Sequence, residues 1–255
     1  MYEPYSDNPS TSGFFVVSEQ DLKDYIPKYL KDRWQVNVHC IGDRANGEVL
    51  DIFENALKGR DIQALRPRIE HAQILRPQDI GRMASLGLIA SVQPKHATSD
   101  MVYADARLGE RVKSSYAYQS FLRAGGRITL GSDMPVESGN PLVTFHAAVT
   151  RVDANGGSPQ GPGGWYPEEK LTRMQSLKGN KMPVHITLML KTPTGMTIDA
   201  AYASFSEHEV GSLEAGKRAD FVVLDRDIMS VDGQEILKIK VLATVVDGVI
   251  QFGSF

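Results

Sequence analysis

Two histidines and one aspartate stand where short β-like runs of this chain end. His39 closes Gln35-Val36-Asn37-Val38-His39, His71 closes Arg68-Ile69-Glu70-His71, and Asp133 follows a run at 127–131, in Leu130-Gly131-Ser132-Asp133-Met134-Pro135. Imidazole nitrogen and carboxylate oxygen are good ligands for Zn²⁺ and similar borderline metals. Parallel α/β folds collect functional groups at the C-terminal ends of their strands, so three such donors on separate strands can converge. A metal held there lowers the pKa of a water toward ~7, and a nearby carboxylate takes its proton. Taken singly, each residue has a plainer reading. A lone histidine near a strand end is more often a hydrogen-bonded structural residue, and Asp-Met-Pro is an ordinary turn.

The elements that must position these residues follow from periodicity. After the first strand, Asn46-Gly47-Glu48 leads into a helix with Val49, Leu50, Phe53, Ala56 and Leu57 on one face. After the second, Pro77 opens a helix whose apolar face is Ile80, Met83 and Ala84, and Gly87 closes it. Leu88 to Gln93 reads as a third strand stopped by Pro94. A helix over 116–124 ends at Gly125-Gly126, and residues 127–131 form the fourth strand. Such an alternation builds a parallel sheet with right-handed crossovers, the α/β class. Residues 153–167 are too rich in Gly and Pro to be other than loop. A helical pattern resumes at Pro167-Glu168-Glu169, and from Gly211 onward short strands and turns take over. Asp247-Gly248 between two β-rich runs marks a hairpin.

Composition narrows the function classes. The 255 residues are 42% apolar and 23% charged, ordinary for a globular protein. A net charge of −3 leaves no basic footprint for nucleic acid and no polybasic membrane anchor. No apolar run approaches the roughly 18 residues a membrane span needs. Met1 to Asp7 has neither the basic flank nor the apolar stretch of a signal peptide. The single cysteine, Cys40, allows no internal disulfide and fits a reducing, cytoplasmic setting.

Five segments carry a resemblance. They are Asn37 to Ala45 (NVHCIGDRA), Arg68 to Gln73 (RIEHAQ), Ser91 to Met101 (SVQPKHATSDM), Gly131 to Val136 (GSDMPV) and Gly211 to Asp225 (GSLEAGKRADFVVLD). In this order they resemble the YtcJ-like group of amidohydrolase family 3. The resemblance implies a (β/α)₈ TIM barrel with a small β-sandwich. His39 would be the metal ligand on strand five and His71 that on strand six. Asp133, after strand eight, would bind metal and act as the catalytic base. Gln93 and His96 match the family's Gln-Pro-x-His segment and are read as substrate contacts. The implied reaction is hydrolysis of a non-peptide C–N bond in a small amide or cyclic amide, with a divalent metal, zinc by preference. His146 is read as a packing or surface residue; His185 and His208 match no catalytic motif.

The chain also departs from that pattern. It holds no His-x-His pair, which the family places at strand one, and Glu3 to Gly13 resembles the loop after strand four. The expectation is therefore a partial barrel of strands five to eight over residues 1–205, followed by the C-terminal part of the β-sandwich over 206–255. Half a barrel would expose sheet edges and an apolar interior face, favouring an oligomer or a complementing N-terminal fragment. Residues 180–195, with Pro183 and Pro193, read as an insertion into one helix. Two alternatives stay open. The chain is a catalytically inactive remnant or partner-binding fragment, or it derives from a metal-dependent deaminase. Ala72-Gln73 after His71, in place of a deaminase acid, weighs against the second.

Overall fold

The computed structural model describes residues 1–178 and 194–254. The chain forms two compact units, residues 1–92 with 99–128, and residues 93–98 with 129–255. Four strands make one sheet in chain order: β1 (Asn37–Cys40), β2 (Arg68–His71), β3 (Ile89–Val92) and β4 (Arg127–Leu130). β1 and β2 run parallel, as do β2 and β3. The expected succession is thus present. Among the described residues no helix is long and apolar enough to cross a membrane.

Helices cover the connections. α1 (Glu19–Lys31) is capped reciprocally: Ser18 Oγ accepts from Asp21 N at 3.0 Å and donates to Asp21 Oδ2 at 2.6 Å. α2 (Asp43–Ala56) buries Val49, Leu50 and Phe53 completely, each contributing about 1.5–3 kcal/mol of transfer free energy. α3 (Ile62–Leu65) is a single turn, and α4 (Pro77–Ser85) opens on a proline whose missing N–H is no loss in a first turn. Pro94 follows the end of β3, as expected, and also opens α5 (Pro94–Leu108) by the same rule, with His96 in that helix's first turn. α6 (Tyr118–Arg123) precedes β4.

The sheet's two faces differ in kind. Paired residues of neighbouring strands share a face. Val38, Cys40, Ile69, Ala90 and Val92 are buried on one side. The other side carries Asn37 and His39, both exposed, then Arg68, Glu70 and Ser91, with only Ile89 apolar and buried there. Arg68 Nε pairs with Glu70 Oε1 at 3.0 Å along this face. The expectation of an apolar exposed interior face is therefore corrected: on β1 to β3 that face is polar but for Ile89, and both valines lie on the opposite side.

In the second unit, α7 (Pro141–Thr150) supplies Leu142 and Phe145 to a core with Ile228, Ile236 and Ile239. α8 (Arg173–Lys178) and α9 (Asp199–Ala203) bracket the anticipated insertion, of which residues 180–193 lie outside the described residues. Gly195 lies so close to the Ser176 carbonyl that a Cβ would stand 2.6 Å from it, so this position must be glycine. β5 (Phe221–Leu224), β6 (Val241–Val246) and β7 (Val249–Gly253) form an antiparallel sheet. The β6–β7 hairpin turns at Asp247 (φ 52°) and Gly248 (φ 75°), the doubly left-handed turn that Asp-Gly favours. Ala243 and Val245 point into the core, whereas Val222, Leu242, Val246, Val249 and Phe252 are exposed. Exposed apolar surface thus lies on this sheet.

One buried side chain ties the ends of β1 and β2. The Asn46 amide nitrogen donates to the carbonyls of Gly42 (3.0 Å), Ile74 (3.1 Å) and Ile41 (3.2 Å), with Cys40 at 3.5 Å. Asn46 is fully buried, and although Gly42 O also accepts from Asn46 N at 2.9 Å and Ile41 O from Ile74 N at 3.0 Å, this one side chain gathers carbonyls from beyond both strand ends. Asn46→Ala should cost about 2–3 kcal/mol, read as a lower urea midpoint at unchanged slope. Asn46→Asp, which turns a carboxylate onto the same oxygens, should cost at least as much; a neutral outcome for either would refute this role.

Candidate metal centre

Four of the five expected site residues form two pairs, His39 with His71 in the first compact unit and His96 with Asp133 in the second, where Gln93 also lies. In the first unit the His39 and His71 rings meet edge to face, with centroids 4.4 Å apart. Strand register alone would not bring them together. His71 is paired with Cys40, and His39 with Glu70, so alternation places the two imidazoles on opposite faces. The backbone resolves this: His71 has φ 74° and Ala72 φ 44°, and these two left-handed residues break the alternation where β2 ends. Left-handed backbone at a residue with a Cβ is unfavourable by roughly 1–2 kcal/mol, and such strain gathers at functional sites.

The turn is held on both sides. Ile74 N donates to Ile41 O at 3.0 Å, and Tyr116 N donates to Gln73 O at 2.7 Å. The Gln73 side-chain amide donates to Tyr116 Oη at 2.5 Å and to Asp100 Oδ2 at 3.1 Å. Tyr116 in turn donates to Asp100 Oδ2, and Tyr103 to Asp100 Oδ1 at 2.6 Å. Burial first, then the Asp100 charge and hydrogen bond, pushes the Tyr116 phenol well above its ordinary range. Tyr103 is pushed up to about 12 by burial and by Asp100.

In the second unit His96 Nε2 stands 3.8 Å from Asp133 Oδ2. That is beyond hydrogen-bond length but near the roughly 3.3–3.6 Å between two ligands sharing a tetrahedral ion. Asp133, exposed, has φ 59°, so it too leaves its strand through a left-handed residue. Its carbonyl accepts from Val136 N at 2.8 Å. Gln93 is buried, and its carbonyl receives His96 N at 2.9 Å as the helix begins. The donor chemistry of the two pairs, three imidazoles and one carboxylate, fits a divalent cation.

The remaining histidines behave otherwise. His146 is buried in α7, its Nε2 3.5 Å from Gln234 Nε2, and burial lowers its pKa, as suits a packing residue. The His208 side chain is 90% exposed. His185 lies outside the described residues. Asn46, Asp100 and Tyr116 were not singled out in the sequence. Gln73 and Asp100 do lie inside the segments that carry the resemblance, but nothing local to Tyr116 announces its part.

Comparison with known proteins agrees with this chemistry. A family model described as "Amidohydrolase family" matches residues 1–252. The chain is 35% identical over 250 residues to Protein LONG AFTER FAR-RED 3 of Arabidopsis thaliana, covering 97% of this chain and 39% of that protein. It is 30% identical over 253 residues to the putative amidohydrolase YtcJ of Bacillus subtilis, covering 99% of this chain and 44% of that one. Among solved structures, an uncharacterized metal-dependent hydrolase from Pyrococcus horikoshii OT3 superposes with a TM-score of 0.73 at 30% identity, covering 91% of this chain and 42% of the other. The chain thus spans less than half the length of these relatives.

Cys40, beside His39 in sequence, is buried on the opposite face, and burial pushes its thiol up to about 12. It is therefore neither a metal ligand nor a nucleophile at neutral pH. Ellman's reagent should react with it only when the chain is unfolded; rapid labelling of the native protein at pH 8 would contradict its burial.

Proposed function

Because this chain belongs to the amidohydrolase family, we propose that it takes part in metal-dependent hydrolysis of a non-peptide C–N bond in a small amide or cyclic amide. The observation that carries this reading is the pairing of metal-type donors where strands end: His39 with His71, and Asp133 beside His96. We assign His39, His71 and Asp133 to one divalent ion, zinc before others, and Gln93 and His96 to the substrate. β1 to β4 take the places of strands five to eight of a (β/α)₈ barrel, and β5 to β7 those of the C-terminal part of a β-sandwich.

When bound, the ion polarises a carbonyl and brings the pKa of a water toward ~7. The chain's own residues do the rest. Asp133, solvent-facing at the end of β4, accepts the proton of the attacking water. To His96, whose ring nitrogen lies close to that carboxylate, we assign donation to the substrate oxygen. Gln93, buried at the end of β3, offers an amide that orients the substrate without charge.

A second reading, an inactive or partner-binding fragment, is favoured by one observation. These 255 residues contain no His-x-His, and the relatives they match are more than twice as long. Both readings bear on assembly. The exposed apolar side chains of β5 to β7 should make the chain self-associate or depend on a complementing N-terminal fragment. Sedimentation of a monodisperse, cooperatively melting monomer would contradict this.

Function is tested with N-acyl amino acids and cyclic amides in the presence of Zn²⁺. The 255-residue chain alone should show negligible turnover while binding Zn²⁺, and His39→Ala, His71→Ala and Asp133→Ala should each weaken binding. Adding the N-terminal half of a relative should restore hydrolysis that Asp133→Ala abolishes. Zn²⁺ binding untouched by all three substitutions would rule out the site, and turnover by the chain alone would rule out the fragment reading.

A further inference from the structure

Register places His39 and His71 on opposite faces of the sheet, and two left-handed residues overcome that. Something must hold those residues there. The turn leaving β2 is gripped at Gln73, two residues beyond His71, through both its backbone and its side chain. Tyr116 receives the Gln73 amide on its hydroxyl at 2.5 Å and gives its own N–H to the Gln73 carbonyl at 2.7 Å. Asp100 accepts from Gln73 at 3.1 Å and from the Tyr116 hydroxyl through the same oxygen. We propose that Gln73, Asp100 and Tyr116 are positioning residues that hold the His71 imidazole against His39, without touching substrate or metal themselves.

The chemistry of the triangle admits one arrangement. An ionised carboxylate only accepts, so Asp100 must receive both neighbours. The Tyr116 hydroxyl has a single hydrogen, and giving it to Asp100 leaves its lone pairs for Gln73. The Gln73 side chain must then turn its NH₂, not its oxygen, toward both. Tyr116 keeps that hydrogen at any working pH, since burial and Asp100 both raise its pKa. Tyr116 is itself 3% exposed and left-handed (φ 51°), so the clamp cannot readily swing aside. Hydrogen bonds to a charged acceptor are about twice as strong as neutral ones, which suits a device holding unfavourable backbone in place. Asp100 and Tyr103 come from α5, the helix that carries His96 in its first turn, and one side chain, Asp100, reaches both tyrosines.

The proposal rests on the metal-site reading for its purpose but not for its test. In the metal-free chain with ¹⁵N-labelled histidine, ring-to-ring nuclear Overhauser effects report directly on the His39–His71 contact. Tyr116→Phe removes one hydroxyl, and Gln73→Glu keeps the shape but sets a second carboxylate beside Asp100. Both should shift the His71 ring signals and weaken its cross-peak to His39. Tyr103→Phe, which touches only the outer oxygen of Asp100, should leave both as they are. Zn²⁺ affinity should fall about 10–100-fold in Tyr116→Phe, the range typical when a ligand loses its supporting shell. Unchanged His71 signals and cross-peak in the two folded variants would overturn the proposal. So would loss of cooperative folding in both, which would make the triangle a general structural element. If the unmodified chain binds no Zn²⁺, the metal reading falls, while the ring contacts still decide for or against the clamp.

Discussion

The arrangement depends on how the polypeptide leaves β2. A parallel strand hands its side chains alternately to two faces, and chemistry at its end requires one residue to break that rule. His71 and Ala72 do so by entering left-handed backbone, which is unfavourable for residues with a Cβ. The cost is met locally by polar groups, of which Asn46 and Tyr116 are buried and cannot readily fall back on water. Asn46 binds the carbonyls at the ends of β1 and β2 into one knot, and Gln73 is gripped by Tyr116 and Asp100. Without these ties the two imidazoles would face away from one another across the sheet.

The same logic recurs at Asp133, where another left-handed residue follows a strand and turns a carboxylate toward His96. In each compact unit, then, a metal-type donor is delivered by backbone that departs from the regular element just before it. Regular structure supplies the scaffold and irregular backbone aims the groups. The histidine that lies in mid-helix, His146, is by contrast buried, its pKa lowered by that burial, and given over to packing.

Much of this was legible in the residues. The strand end at His71, the helix opened by Pro77, and the Asp-Gly hairpin appear where periodicity and turn chemistry put them, and β1 runs one residue past His39, because each is decided by neighbours within a few positions. Two long helices, and the single turn α3, were not. α1 is interrupted by Pro27, which obscures its pattern, and α5 begins with the proline that also ends β3, so one residue carries two opposite signals. The site was legible as a set of donors but not as a geometry. The contact of His39 with His71 contradicts strand parity, and Tyr116 lies 43 positions from Gln73, a pairing that no local rule reaches. The apolar exposure expected of the parallel sheet was misplaced for a simple reason: strand residues on the chemical face are polar, while those of β5 to β7 are not.

That polar face has a consequence for how the protein tolerates change. Along β1 the odd-numbered residues, Asn37 and His39, look outward, and the even-numbered ones, Val38 and Cys40, look into the core. Substitutions at odd and even positions therefore address different properties, reactivity in the first case and folding in the second. Lineages diverging from such a strand can vary the first set while the second is kept, so new specificities are explored without first acquiring spare stability. Parity in the numbering becomes a partition of evolutionary freedom.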